Sequence, residues 1–290
     1  MKRSLLQIAT IARFSALEHL GTPVILLLTL AASVGTLVLP LFQFQRFSED
    51  GRLARDCGLA TTFLFGLFLA VGCAAKIYRT LTDGTAAIAL TKPLTRGRWF
   101  CGQLCGSALV LLWFLATMGA AILTAEACSP QYHTTGAYAD VASILRALLF
   151  PVGALVLGAL NNRFRNGRFT LTAALSLPCL LWMTIALPNH LHWGSLTLLP
   201  AIALFLVQVL ALASALATRL SPGIFTSITL FLTFLVLGFG NGSAYLPLDL
   251  LSNGGAVPLQ LLLLLLPQTL AALLLFGWAG IYSLRQKESV

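Results

Sequence analysis

Cysteine and histidine are the residue types in this sequence that could bind a metal ion or act as nucleophiles. Cys101 and Cys105 lie one helical turn apart, and two thiolates supply half of a tetrahedral zinc site. Small residues at this spacing also pack helices together in membranes, and we favour that interpretation. His190 and His192 form a weak candidate metal site, because their stretch of sequence has no neighbouring Cys, Met or acidic ligand. We therefore predict no bound metal ion.

The sequence contains no motif for nucleotide binding or hydrolysis. The Gly-x-x-x-x-Gly-Lys-Ser/Thr pattern, whose backbone amides cradle the phosphates of ATP, is absent. The His-Glu-x-x-His and Gly-x-Ser-x-Gly motifs of hydrolases are absent too. We predict that this chain is not an enzyme, has no catalytic residue and binds no cofactor itself.

The elements that must position any functional side chain are membrane spans. The 290 residues are 58% hydrophobic and 9% charged, against about 25% charged in soluble domains, and the mean hydropathy is +0.90. Eight apolar runs are long enough to be candidate spans: 22–42, 57–78, 103–125, 144–160, 169–187, 195–217, 223–240 and 257–282. The segments between them are too short for a soluble domain of about 50 residues. The sequence predicts an all-α, polytopic membrane helix bundle with about six to eight transmembrane helices.

Charge placement predicts the orientation of these spans. With a cytoplasmic N-terminus, 14 of the 18 Lys and Arg residues fall in cytoplasmic segments, as the positive-inside rule requires. Eight spans then place both termini in the cytoplasm. The net charge of +9 is thus an orientation signal, and no clustered basic face predicts nucleic-acid binding. Cys57 and Cys128 fall near the outer surface, where a disulfide is one alternative and two separate thiols the other.

Residues 1–21 are predicted to form an amphipathic cytoplasmic helix at the membrane interface, ahead of a transmembrane domain covering 22–290. They lack the compact apolar core and cleavage site of a signal peptide. One helical face collects Leu5, Ile8, Ala9, Ala12, Ala16 and Leu20. The alternative is a helical extension of the first span, but Pro23 favours a break between the two.

The predicted spans have no ionisable residue near their centres. Carriers coupled to protons or sodium commonly place such a residue at bilayer depth, where the ion must bind and leave. This pattern disfavours a secondary carrier, and it also disfavours channels that need rings of charge. Spans 144–160 and 169–187 are joined by an arginine-rich loop. The first of them is short for a bilayer of about 30 Å, so a re-entrant pair is an alternative to two full spans.

The cytoplasmic segment 79–102 carries the most specific pattern. A short run at 86–90 is compatible with a helix, and Lys92-Pro93 ends it. Arg96 then marks the membrane surface, and Trp99-Phe100 is predicted to form an aromatic belt there. We expect a short helix parallel to the membrane that docks into a groove on a partner, and the alternative is an ordinary solvated loop.

This segment, together with the start of the second predicted span, resembles the permease subunits of ABC transporters of the type-2 exporter class. The matching residues, in order and spacing, are Asp56, Gly58, Leu59, Ala60, Gly84, Thr85, Leu90, Lys92, Pro93, Thr95, Arg96 and Gly102. The run from 210 to 240 resembles the hairpin before the last span of that family. The chain departs from the family at Thr80 and Thr82, where glutamates are usual, so that Asp83 is the remaining acid. It also departs in carrying spans 144–187, which resemble an inserted hairpin.

The resemblance implies that residues 82–91 form the coupling helix, which docks on an ATPase. The residues implied in coupling are Asp83, Gly84, Thr85, Ile88, Leu90, Lys92, Pro93, Thr95 and Arg96. It further implies a separate ABC ATPase subunit that binds ATP and Mg, and a second permease chain, either identical or related. Spans one, two and five would build the interface between the two permeases. The expected location is the lipid bilayer of a bacterial cytoplasmic (inner) membrane, and the expected direction is export.

Two other functions stay open from the sequence. A structural or assembly protein of the membrane, without transport, shares the same hydropathy and charge bias. A secondary carrier is the third interpretation. Neither requires a partner ATPase.

Overall fold

The computed structural model describes residues 2–42, 51–83, 95–129, 140–186, 193–239 and 259–286. These residues form α-helices joined by turns and short 3-10 segments, with no strand among them, so the all-α prediction is confirmed. In chain order the helices are α1 (Lys2–Leu20), α2 (Pro23–Val38), α3 (Arg52–Thr82), α4 (Arg96–Ala127), α5 (Val141–Arg165), α6 (Phe169–Met183), α7 (Leu199–Ala217), α8 (Pro222–Phe239) and α9 (Leu259–Gln286).

Seven helices in the described residues are long and apolar enough to cross a membrane, which fits a polytopic membrane protein. They are α2 with its 3-10 extension to Phe42, α3, α4, α5, α6 with its extension to Ala186, α7 and α9. The predicted span 223–240 corresponds to α8, whose 18 residues measure about 27 Å at 1.5 Å per residue. Its described apolar part, Pro222–Val236, is shorter than the seven others.

The central element is α4, which packs against α1, α2, α3, α6 and α7. In a stretch of 18 apolar residues of α4, 72% of the residues are buried inside the bundle. In the corresponding stretch of α9, 11% are buried. The main core joins α2, α3, α4, α6 and α7 through side chains such as Phe114, Met118 and Leu206. The outer faces of α5 and α9 expose large apolar residues, Leu149 and Leu274 among them. Such a continuous apolar exterior is suited to contact with lipid.

The helices α5 and α6 form an antiparallel hairpin that extends along the bundle. Asp140 begins α5 beside the end of α4, where its backbone N–H donates to the Cys128 carbonyl at 3.1 Å. The return helix starts where the Thr170 hydroxyl donates to the Gly21 carbonyl at 2.7 Å. α5 has 25 residues, or about 37 Å, rather than the 17 of the predicted span. Both helices of the hairpin are long and apolar enough to cross a membrane, which favours two full spans over the re-entrant pair.

The turn between α5 and α6 depends on one residue in the left-handed region. Asn166 follows α5 with a φ of 49°, and Asn is among the residues that adopt this conformation most readily. The Asn161 carbonyl accepts a hydrogen bond from the Gly167 N–H, and the Asn161 amide donates to the Thr172 hydroxyl. The first bond closes the turn after α5, and the second ties the end of α5 to the first turn of α6.

The predicted break at Pro23 is confirmed, because α1 ends at Leu20 and α2 begins at Pro23. The face that α1 buries differs from the predicted apolar face. Leu5 and Ala9 are exposed, whereas Ser15 and His19 are buried together with Ala12, Ala16 and Leu20. The physical reason is that α1 packs on α4, which accepts small and polar side chains, so that hydrophobicity alone does not choose the buried face.

Candidate functional site

Contacts between the helices place most of the segments that contain Lys and Arg at one end of the bundle. Glu18 near the end of α1 pairs with Lys76 on α3 at 3.3 Å, and Gln7 accepts a hydrogen bond from Arg98 on α4. The turn before α6 meets the α1–α2 turn through Thr170. We call this the basic end: it holds the α1–α2 turn, the end of α3, the start of α4, the turns after α5 and α7, and the end of α9.

The helices α7 and α9 lie side by side and run in the same direction. Gln208 donates to Thr269 at 2.9 Å near one end, and Thr218 donates to Ser283 at 2.9 Å at the basic end. The chain must therefore return to the opposite end between these helices, and α8 runs in that direction. It follows that α9 finishes at the end of the bundle where α1 lies.

The opposite end carries a different set of charged side chains. Arg55 forms a salt bridge with Asp56 at 3.2 Å and lies 3.8 Å from the Glu126 carboxylate, whose side chain is only 5% exposed. Gly51, with a φ of 73°, starts α3 against Glu126, and a Cβ there would come within 2.8 Å of the Glu126 carbonyl oxygen. Glycine is required at this position both by the backbone conformation and by this close approach.

The predicted coupling segment leaves the bundle at the basic end. Asp83 is the C-cap of α3, where its N–H donates to the Arg79 carbonyl at 2.8 Å. Thr95 is the N-cap of α4, and its carbonyl accepts from the Trp99 N–H at 3.1 Å. The other six predicted coupling residues lie outside the described residues: Gly84, Thr85, Ile88, Leu90, Lys92 and Pro93.

Arg96 connects the start of α4 to the end of α9. Its guanidinium donates to the backbone carbonyl of Leu284 at 3.3 Å. This carbonyl is in the last turn of α9, where intrahelical partners run out and a cation is favourable. Arg96 was predicted to mark the membrane surface and to take part in coupling; the structure places it in a contact between helices.

The predicted aromatic belt at Trp99 and Phe100 is wrong. Both side chains are buried, in a cluster with Ile77 of α3 and Leu284 of α9. Gly280 makes this possible, because the Phe100 ring lies within 2.5 Å of the point where a Cβ on residue 280 would stand. Hydropathy alone could not show that α9 returns to cover this pair. We call Ile77, Trp99, Phe100 and Leu284 the root cluster.

A second close contact at the basic end was missed in the sequence. Gly102 and Gly106 of α4 face α1, and a Cβ at Gly106 would lie 2.7 Å from the Ala12 carbonyl oxygen and 2.6 Å from the Ser15 Cβ. Ser15 donates to Gln103 at 2.7 Å, and the buried His19 shares a 3.2 Å hydrogen bond with Ser107. The Gly-x-x-x-Gly pattern at 102–106 was the available signal for this packing.

Burial and a nearby cation keep the His19 imidazole neutral. Desolvation, followed by the positive charge of Lys76, lowers the pKa of His19 from 6.5 to about 3. The neutral ring is therefore the form that bonds Ser107 near pH 7. His19 is suited to structural packing, and protonation would place a charge in the α1–α4 contact.

The cysteine and histidine candidates do not assemble into a metal site where the structure describes them. None of the six cysteines is in a disulfide, so Cys57 and Cys128 are separate thiols. Burial, with the charge of Asp140, raises the pKa of Cys128 to about 11 and keeps it protonated. Among the described residues no three His, Cys, Asp or Glu side chains are grouped for metal binding. His190 and His192 lie outside those residues.

Comparison with known proteins gives no relative from which to carry a function. No protein-family model, no curated protein and no solved structure matches this chain. The chain is therefore described by its own features, which are those of a polytopic helical membrane protein.

Proposed function

We propose that this chain is the membrane-spanning permease subunit of an ATP-binding cassette exporter. In this scheme a separate ATPase subunit binds ATP and Mg, and this chain couples that ATPase to movement of a substrate across a bacterial inner membrane. A second permease chain, identical or related, completes the complex. The proposal rests on the residue pattern from Gly84 to Arg96 and on the way the ends of that segment are anchored.

The anchoring at the root cluster is the observation that carries the proposal. The segment 84–94 connects α3 to α4, and the two helices meet in the root cluster together with α9. Arg96 adds a hydrogen bond from α4 to the last turn of α9. A displacement of the segment would therefore act on three helices at once, rather than being absorbed by a loose loop.

Coupling requires such rigid contacts, because an ATPase can bias the spans only through packed elements with two arrangements. In our proposal Ile88 and Leu90 supply the apolar face that docks on the ATPase. Lys92 and Pro93 end the docking helix, and Arg96 passes the displacement to α9. The described spans carry their charged side chains toward their ends, which is consistent with energy supplied from outside the bilayer rather than by an ion bound within it.

The test uses the tagged full-length chain, purified in mild detergent together with its native membrane partners. We expect a co-purifying ATPase whose retention falls at least tenfold in Ile88→Asp and Leu90→Asp, because a carboxylate would be desolvated in the docking contact. Ile88→Leu and Leu90→Ile are the matched controls and should retain it, since they keep the volume and apolar character. Arg96→Gln should retain the ATPase but reduce ATP-dependent transport in vesicles.

Recovery of the intact chain without ATPase activity in several detergents would contradict the proposal and favour a structural or assembly protein. Transport driven by an ion gradient in vesicles without ATP would instead favour a secondary carrier.

A further inference from the structure

The turn between α5 and α6 presents three exposed arginines close together in sequence. Arg163 and Arg165 are in the last turn of α5, and Arg168 is the N-cap of α6. Among the described residues no salt bridge or side-chain hydrogen bond involves their guanidinium groups. The carboxylate of Glu18, close to the neighbouring α1–α2 turn, pairs with Lys76 instead. The α5–α6 turn therefore carries three positive charges that the described part of the chain does not neutralise.

The backbone that carries these arginines is fixed by hydrogen bonds. The Asn161 carbonyl accepts from the Gly167 N–H at 3.2 Å, and the Asn161 amide donates to the Thr172 hydroxyl at 2.6 Å. Neither bond uses an arginine side chain, so the guanidinium groups stay available to a ligand. A site whose backbone is already ordered loses less conformational entropy when it binds.

Arg163 lies at the end of an exposed apolar face of α5. Val152, Val156 and Leu160 share this face at helical spacing, and all three are exposed. From Val152 to Arg163 the helix rises about 16 Å, which is close to half of a hydrocarbon core about 30 Å thick. One acyl chain of a lipid can therefore lie along this face while its headgroup is at the turn. Phe164, beside Arg163, is also exposed.

The α5–α6 turn is set back from the tip of the basic end. Thr170 bonds the carbonyl of Gly21, two residues after His19, which bonds Ser107 of α4. From Ser107 the helix α4 continues to Arg96, about 16 Å further. A soluble partner would approach this projecting part of α4. Lipid headgroups surround the bundle at the level of the turn, because two apolar candidate spans meet there. The position of the turn thus favours a lipid over a soluble protein.

We propose that the α5–α6 turn binds the headgroup of one anionic phospholipid of the surrounding bilayer. The phosphate lies among Arg163, Arg165 and Arg168, and one acyl chain lies against Val156 and Leu160. The hairpin and the bilayer are sufficient for this site, which goes beyond the proposed function and can fail or succeed independently of an ATPase partner.

Charge complementarity selects an anionic lipid. A guanidinium has five N–H donors in a planar fork that matches the geometry of a phosphate. Arg168 makes no side-chain capping bond, and the N-terminus of α6 adds to the positive potential at the turn. A zwitterionic lipid has a phosphate too, but its own cation offsets that charge. The attraction of basic residues to an anionic membrane surface grows with each added arginine.

Photo-crosslinking of the full chain in phosphatidylcholine vesicles tests this site. The two probes are phosphatidylglycerol and phosphatidylcholine with the same diazirine-bearing acyl chain, each added as the same small fraction of the lipid. Peptide mass spectrometry locates the adducts. We expect adducts on α5 between Val152 and Phe164, with a yield at least tenfold higher from phosphatidylglycerol, because three cations act on its net charge.

Substitution of the three arginines separates charge from structure. Arg163→Gln/Arg165→Gln/Arg168→Gln should lower the phosphatidylglycerol yield on α5 to that of phosphatidylcholine. The triple replacement by Lys should keep most of it, because the charges remain. Arg146→Gln is the matched control, since Arg146 is an exposed arginine of the same helix that lies near Asp140 at its other end. It should leave the yield unchanged.

Equal yields on α5 from the two probes in the wild type would overturn the proposal, and this comparison needs no variant to fold. A preference that survives in the triple glutamine variant would overturn it too. If that variant keeps the lipid adducts but loses a co-purifying acidic protein, the turn is a protein contact and not a lipid site.

Discussion

The Ser107 hydroxyl of α4 and the His19 imidazole of α1 are 3.2 Å apart and hydrogen bonded in a buried contact. Together with Gly102 and Gly106, this pair makes α1 an integral part of the bundle. The first helix therefore contributes to the stability of the basic end.

Gly106→Ala should loosen the contact between α1 and α4. The new Cβ would stand 2.7 Å from the Ala12 carbonyl oxygen, so the backbone of α1 must move. We expect a loss of about 1–3 kcal/mol in the free energy of unfolding, as for overpacked cores. Thermal unfolding in detergent would measure it.

Gly72→Ala is the control for this substitution, because a Cβ at residue 72 of α3 meets nothing within 4 Å. It should leave the stability unchanged or raise it slightly, since alanine has the higher helix propensity. If both variants lose the same stability, the close approach of α1 to Gly106 is not what stabilises the protein.

Stability should fall as the pH is lowered from 7 to 5, because of His19. Its folded-state pKa of about 3 lies below its ordinary value of 6.5. The unfolded chain then binds more protons, so the stabilisation is complete above pH 6.5 and is lost progressively between pH 6.5 and 3. At pH 5 the loss is about 2 kcal/mol. Chemical unfolding at a series of pH values would measure it.

His19→Gln removes the titrating group and keeps an amide that can bond Ser107. The free energy of unfolding of this variant should therefore depend less on pH than that of the wild type between pH 5 and 7. Identical pH profiles for the two proteins would show that His19 is not protonated on unfolding in this range.

Arg55→Gln should destabilise the opposite end of the bundle by about 1 kcal/mol, the order expected for loss of one hydrogen-bonded or ionic contact. The buried Glu126 carboxylate would lose the cation 3.8 Å away. Arg55→Lys should cost less, because it retains the charge. In a double-mutant cycle, Arg55→Gln/Glu126→Gln should recover part of the loss, and strictly additive effects would show that the two side chains do not interact.

Two indole groups attach the α5–α6 hairpin to α4. The Trp113 N–H donates to the Ala174 carbonyl, and the Trp182 N–H donates to the Ala116 carbonyl, each at 3.0 Å. Trp113→Phe and Trp182→Phe should each lower stability by about 1 kcal/mol through loss of a hydrogen bond. Trp278→Phe, where the side chain is 67% exposed, should have little effect. If all three variants change the melting temperature equally, the two indole hydrogen bonds do not attach the hairpin to α4.

The pattern of residues along the chain predicted which segments form helices. It did not predict which helices pack against each other. The break at Pro23 was recognisable, since proline starts a helix but cannot continue one. The full length of α5 was not recognisable, because its last turn, Asn161 to Arg165, is mostly polar and lies beyond the apolar run. The buried positions of Trp99 and Phe100 were not recognisable either, since an aromatic pair at a membrane surface and one under another helix have the same hydropathy.

The amino-acid sequence by itself determined the all-α membrane fold and the placement of positive charge toward one side. Both follow from composition and from the spacing of apolar and basic residues along the chain. Only the tertiary structure decided that α1 packs on Gly102 and Gly106, that the root cluster joins α3, α4 and α9, and that the α5–α6 turn lies beside the α1–α2 turn. These features depend on contacts between residues distant in sequence, and a one-dimensional pattern does not specify which faces of the helices meet.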